Sequence, residues 1–186
     1  MTTPTQSLLS NVAIRSALRH IKPGSHEGTV QDLWNIIVLD RFPSHEGYKY
    51  LWKGPNNSLH EPHIIIIQLY DRPPTSQNSS DFDDSDERQI FLMKCRSAPL
   101  DIPPNDTEEE RIFDELLQAL NDKGKIFGAV AIGKKVRFYR FEEADSENSI
   151  SRLHDGTIDI DDPDGTVQVE EILGHIKANA CQWTSS

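Results

Sequence analysis

The sequence predicts an α/β (α+β) domain in which a mixed central sheet is flanked by helices, and three observations lead there. Apolar residues recur at helical spacing at Val30, Leu33, Trp34, Ile37, Val38 and Phe42, and again at Val169, Ile172, Leu173 and Ile176. Between these stretches Ile64-Ile65-Ile66-Ile67 is a β-branched run, apolar on both faces, as a strand covered on both sides should be. Gly133-Lys134 then separates two strand-like runs, 126–132 and 136–141, which predicts a hairpin.

The 186 residues, 36% of them hydrophobic, suffice for one core without staples. We expect a single domain over 11–180, a flexible polar start at 1–10 and a short tail at 181–186. Only Cys95 and Cys181 are cysteines and no signal-like apolar stretch opens the chain, which predicts a reducing cytoplasmic or nuclear setting. The Ile run is far too short for a membrane span, so no membrane partner is expected. Acidic residues number 30 against 19 basic ones, a net charge of -11 that disfavours broad attraction to nucleic acid. A protein partner or self-association is the favoured expectation, with nucleic acid second.

Taken in order, Asn11–Ile21 reads as a short helix carrying Val12, Ile14, Leu18 and Ile21, stopped by Pro23 and Gly24. Thr29–Phe42 is the next helix, with Thr29 as cap and Asp32 completing an imperfect capping box. Tyr48–Trp52 is extended, and Pro62-His63 leads into the Ile strand, which ends near Tyr70 and is placed centrally. Residues 72–88, rich in Pro, Ser and Asp, form a mobile acidic loop before a strand over Gln89–Cys95. Thr107 caps a helix running to about Asn121, with Ile112, Phe113, Leu116, Leu117 and Leu120 as its stripe. After the hairpin, 142–165 is a second acidic loop, broken near Ile158, and Val167–Ala178 closes the domain as a helix.

The chemistry centres on the end of the strand at Lys94-Cys95-Arg96. Period two places Leu92, Lys94 and Arg96 on one face and Phe91, Met93 and Cys95 on the other. Pairing with a neighbouring acid such as Asp101 outweighs anion binding for these cations. His63 reads as a hydrogen-bonded residue at a strand edge, with no third group spaced to orient it as a base. Lys134, Lys135, Arg137 and Tyr139 form the other candidate binding face, a phosphate and stacking strip in outline. An ordinary solvated strand balanced by Glu142 and Glu143 is the favoured reading of it.

Leu33-Trp34 through Phe42-Pro43, the segment Phe91–Arg96 and above all the phrase from Gly128 to Phe141 resemble a group of small, uncharacterised fungal proteins. That group has a restriction-endonuclease-like PD-(D/E)XK core, and the resemblance covers roughly 29–141. It implies a nuclease scaffold in which a strand-end carboxylate, a second acid just before a Lys on the adjoining strand, and often a helix Glu hold Mg²⁺. Carried over, the Pro-Asp becomes Pro62-His63, the acid becomes Lys94 and the Lys becomes Arg96. Lys94 repels a metal, and Arg96 is a poor substitute for a compact amine. The resemblance thus implies a retained scaffold with lost chemistry: no catalytic residue, no metal and no cofactor. The alternative is a divergent nuclease or nucleic-acid binder, using Mg or Mn at a displaced site drawn from Asp71, Asp32 or Glu27.

Other motifs are weaker. His45, His60 and His63 lack zinc spacing, and Pro62 opposes a zincin helix. With Gly165 at the sixth place of a calcium loop, Asp162, Asp164 and Glu171 fit, but Ile160 fills the first place, where an oxygen is required. No phosphate-binding glycine loop and no nucleophile elbow occurs.

Overall fold

Asn11 opens the first helix, α1 (Val12–His20), by accepting a hydrogen bond from the Ala13 N–H at 2.9 Å. In the computed structural model, residues 7–53, 63–70, 87–97, 125–143 and 148–179 are described. Helix α2 (Glu27–Arg41) starts two residues before the expected Thr29, which lies inside its first turn. His26 is the N-cap and offers no side-chain bond, so the expected Thr29–Asp32 capping box is corrected. Glu27 instead places a negative charge at the positive end of the helix dipole. Phe42 N–H donates to the Val38 carbonyl at 2.8 Å, and Pro43 then prevents continuation.

The strands are β1 (Tyr48–Lys53), β2 (His63–Tyr70), β3 (Glu87–Arg96), β4 (Lys125–Ile132), β5 (Lys135–Glu143), β6 (Asn148–Arg152) and β7 (Ile158–Asp159). Helix α3 (Pro163–Asn179) follows them. They form one seven-stranded sheet in the order β1-β2-β3-β4-β5-β6, with β7 also pairing to β5. Every pair is antiparallel except β3 with β4, so the predicted mixed sheet flanked by helices is what the chain forms. The Ile strand is interior but stands second from an edge, because β1 caps it. Parallel neighbours need a long crossover. The residues that connect β3 to β4, including the predicted helix over 107–121 and Asp101, lie outside the described residues. So do 1–6, 180–186, Pro62 and the acidic segment 72–86, whereas 87–88 belong to β3; within the expected flexible start, 1–10, Leu8–Ser10 form a short 3-10 helix and Leu8 is buried in the core.

The second expected acidic loop, 142–165, is largely ordered: it contains the end of β5, β6, β7 and the start of α3. Its acids act locally. Asp159 accepts from the Asp161 N–H at 3.0 Å, and Asp162 accepts from the Asp164 N–H at 3.2 Å, the bond of an N-cap. Pro163 therefore opens α3 from its first position, where a missing N–H costs nothing, and the helix begins four residues before the expected Val167. A Cβ on Gly165 would collide with the Asp159 carbonyl, so close backbone approach accounts for this glycine. Carboxylates committed to turns and caps leave the calcium-loop pattern a structural explanation.

One sheet face carries the helices. Phe91, Met93, Cys95, Phe127, Ala129, Ala131, Val136 and Phe138 form a core cluster with Val30, Leu33, Trp34, Ile37 and Val38 of α2, Ile14 and Leu18 of α1, and Val169, Leu173 and Ile176 of α3. Small Ala129 and Ala131 on β4 make room for this layer. Phe42 and Phe91 stack with centroids 6.0 Å apart, and Phe91 stacks on Phe138 at 6.5 Å. At the periphery Glu170 of α3 accepts from Ser7 and the Leu8 N–H and lies 3.5 Å from Arg41 of α2. Lys177 donates to the Arg41 carbonyl at 3.1 Å and pairs with Glu46. The last helix is thereby tied to the first elements of the chain. Among the described residues no helix is long and apolar enough to cross a membrane.

Candidate functional site

Strand pairing fixes where the candidate residues lie, since residues opposite one another in a sheet share a face. Ile64, Lys94, Val130 and Arg137 form one row across β2, β3, β4 and β5. The next row is Arg96, Ile132, Lys135 and Asp159, and the row below is Leu92, Gly128, Tyr139 and Arg152. Lys94, Arg96, Lys135, Arg137 and Tyr139 are therefore brought to one face, opposite the three helices. His63 pairs with Cys95, and so belongs to a different row from Lys94 and Arg96. The three positions carried over from the resemblance meet at one end of the sheet without sharing a face.

Burial separates these residues further. Lys94 is 1% exposed and Tyr139 4%, together with buried Leu92, Val130 and Ile132 outside the helix-side cluster. A Lys this deeply enclosed belongs to the interior, where a charge must be balanced by its surroundings. Lys94 stands two residues before the end of β3, near the strand end where it was expected, but enclosed; Asp101, named as its pairing acid, lies outside the described residues. Tyr139 likewise lies in the interior, at odds both with the sketched stacking face and with the favoured reading of an ordinary solvated strand at this position.

The basic hairpin is engaged by its own chain. Gly133 adopts φ 62 in the two-residue turn, a left-handed conformation suited to glycine. Lys134 Nζ lies 2.8 Å from Asp161 Oδ2, and the Ile160 N–H donates to the Lys134 carbonyl at 3.0 Å. Arg137 Nε donates to Thr157 Oγ1 at 2.6 Å. Lys135 pairs with Asp159 through the β5–β7 ladder. Thr157, Asp159 and Asp161 were not among the sequence candidates; the only signal for them was the apolar break at Ile158 within an acidic run.

The helix face holds a second polar group that the sequence did not single out. Tyr50 of β1 donates its hydroxyl to Asn35 Oδ1 of α2 at 2.5 Å. Burial, with the Cys95 charge as a lesser cause, pushes the Tyr50 hydroxyl up to about 12. Cys95 is fully buried, and burial followed by the negative charge of Glu27 drives its thiol far above the ordinary range, so it is inert as a nucleophile. Glu27, Gln31 and Asn35 recur every four residues, which lays a polar line along α2 and is the signal that could have found them. Trp34, between them in sequence, donates from its indole to the Gly133 carbonyl at 3.4 Å and ties α2 to the hairpin turn.

Of the residues weighed for a displaced metal site, Glu27 and Asp32 lie on α2 and Asp71 is outside the described residues. Among the described residues no three His, Cys, Asp or Glu side chains gather where they would hold a metal ion. Compared with protein-family models, curated proteins and solved structures, the chain matches none of them.

Proposed function

We propose that this chain is a noncatalytic protein-binding or scaffold domain on a degenerate nuclease-like core. The observation that carries the reading is Lys94. At the position where the resemblance expects a metal-binding acid, an enclosed cation stands in one row with Arg137 and two residues before Arg96. A divalent cation needs oxygen ligands and negative potential, and this row supplies the opposite. The overall charge of -11 favours partners that bring basic surface, and it opposes nucleic acid.

The rival reading, a divergent nuclease or nucleic-acid binder, draws on the same gathering of Lys94, Arg96, Lys135 and Arg137. Purified protein incubated with labelled single- and double-stranded DNA and RNA at low salt, with and without Mn²⁺ or Mg²⁺, decides between them. We expect neither salt-sensitive binding nor cleavage. Metal-dependent cleavage that disappears in Glu27→Gln or Asp32→Asn would overturn the noncatalytic reading and identify a displaced site.

A further inference from the structure

The first described residues are fastened to the last helix by one side chain. Ser7 enters the 3-10 helix Leu8–Ser10 with extended backbone, φ -57 and ψ 140, and Leu8 behind it is fully buried in the core cluster. This short helix lies against α1 and α3. Ser7 Oγ donates to Glu170 Oε1 of α3 at 3.0 Å, the Leu8 N–H donates to the same oxygen, and Arg41 Nη2 of α2 stands 3.5 Å from it. The remaining hydrogen bonds of Ser7–Ser10 are turn bonds, from Ser10 N–H to the Ser7 carbonyl at 2.8 Å and from Asn11 N–H to the Leu8 carbonyl at 3.1 Å, with Ser10 Oγ to Ser7 O and Arg15 of α1 to Leu9 O beside them. Among the described residues, Glu170 is therefore the one polar tie from this segment to anything beyond α1.

So few attachments set the segment apart from the core it touches. One leucine and one carboxylate are a small part of what holds a domain of this size, and such segments open locally, ahead of global unfolding. Ser7 and Ser10 are exposed and Leu9 is half-buried, so opening withdraws a single fully buried side chain. It leaves an apolar socket at the side of α3, with a carboxylate next to it that is held in place by Arg41. The groups this site takes are a backbone N–H, a hydroxyl and a leucine side chain. None of them depends on belonging to the same chain. Extended peptides are recognised in this way, main-chain hydrogen bonds supplying affinity and side-chain sockets specificity.

We propose that Ser7–Ser10 is a strap that opens as a unit, and that the socket beneath it docks an extended segment of a partner protein in which serine or threonine precedes leucine. This rests on the protein-binding reading above and names the partner's chemistry. The strap is then an internal competitor. Tethered beside its own site, it outweighs a free segment of equal intrinsic affinity, as short tethers do. A partner binds only the open fraction, so its apparent affinity is lowered by that fraction and restored when the strap is released.

Two measurements on the full chain test this. In native-state hydrogen exchange the Leu8 amide should exchange at least tenfold faster than those of Phe91 and Met93 in β3, at a rate insensitive to low urea; exchange of Leu8 only with β3 would overturn the strap. Fluorescence anisotropy then follows a labelled peptide of sequence Gln-Ser-Leu-Leu-Ser-Asn. Leu8→Ser, which takes the anchor out of the socket, should bind it at least tenfold more tightly than the unaltered chain. Leu8→Ser/Glu170→Ala should lose that gain, and so should a peptide with alanine for its first leucine. Should Leu8→Ser fail to fold, Ser7→Ala at an exposed position takes its place, with a gain of about threefold expected from one lost hydrogen bond. A folded variant that gains nothing, or a gain indifferent to Glu170 and to the peptide's leucine, would overturn the docking site while leaving protein binding elsewhere on the molecule in place. Metal-dependent cleavage in the nuclease assay would instead remove the reading on which it rests.

Discussion

The two faces of the sheet solve the same burial problem with different chemistry. On the helix side, Met93 and Cys95 face Ala129 and Ala131 of β4, Phe91 faces Phe127, and all three join one apolar cluster with residues of α2, so enclosure comes from apolar fit. On the other side the alternate residues of the same strands are Leu92, Lys94 and Arg96 against Val130, Arg137 and Tyr139. Lys94 is nevertheless as enclosed as Phe91. Shape decides stability on the first face, whereas on the second it depends on how charge is balanced. Proteins often set specificity and function in the second kind of environment, since it is costly to build and intolerant of change.

Truncating one residue on each face tests this difference most strongly. Phe91→Ala should cost about 3–5 kcal/mol through a cavity and lost transfer free energy. Lys94→Ala should cost about as much, on the order of 3–5 kcal/mol, because the groups that balance the ammonium remain buried without it. Lys94→Met is the informative control. It keeps most of the volume, so if the cost lies in packing, Met should recover most of it, as it would for an apolar neighbour. We expect Met to recover less than half, measured by urea midpoints; full recovery would reduce Lys94 to a space-filling stem and erase the contrast between the faces.

Much of this architecture was legible in the sequence because the apolar periods are strong. The Ile run, the α2 stripe and the Gly133-Lys134 hairpin each state their element locally, and the alternation in Leu92, Lys94 and Arg96 already assigned them a common face. Lys94's burial was not legible, since a cation near a strand end is ordinarily solvated and only the completed sheet reveals the enclosure. The acidic stretch before α3 misled for a related reason. Asp and Pro read as loop formers when viewed singly, yet Asp162 followed by Pro163 is a helix start once the chain has a surface to pack on. Strand order, and with it the place of β6 at the end of the described sheet, depends on long-range pairing that no local pattern encodes.

A smaller effect should come from filling the apolar face rather than emptying it. Ala131 is fully buried in the helix-side cluster and pairs with Cys95 and Val136, so Ala131→Leu has to displace packed neighbours. Overpacking of this kind costs about 1–3 kcal/mol. Thermal unfolding of Ala131→Leu should show a lower midpoint with an unchanged far-UV spectrum. A neutral result would mean that the face tolerates repacking and that its fit is looser than the alanines suggest.

The smallest effect sharpens the comparison by showing that the apolar face carries charge-sensitive groups of its own. Tyr50 ionises near pH 10 when unfolded, but burial holds it protonated up to about 12 in the fold. Above pH 10 the unfolded chain therefore releases this proton first, so the stabilisation is complete below pH 10 and is lost as pH rises towards 12. Cys95 acts in the same direction, its loss beginning above the ordinary thiol range because burial and Glu27 oppose the thiolate. Tyr50→Phe should cost about 1 kcal/mol near neutrality through the lost bond to Asn35, and it should flatten the decline above pH 10. Cys95→Ala should flatten the earlier part of the decline instead. Urea midpoints followed from about pH 8 to about pH 11 resolve the two steps. Parallel decline of Tyr50→Phe and the unaltered chain would mean that the hydroxyl ionises freely in the fold, and that the polar line on α2 is solvated rather than sealed against the sheet.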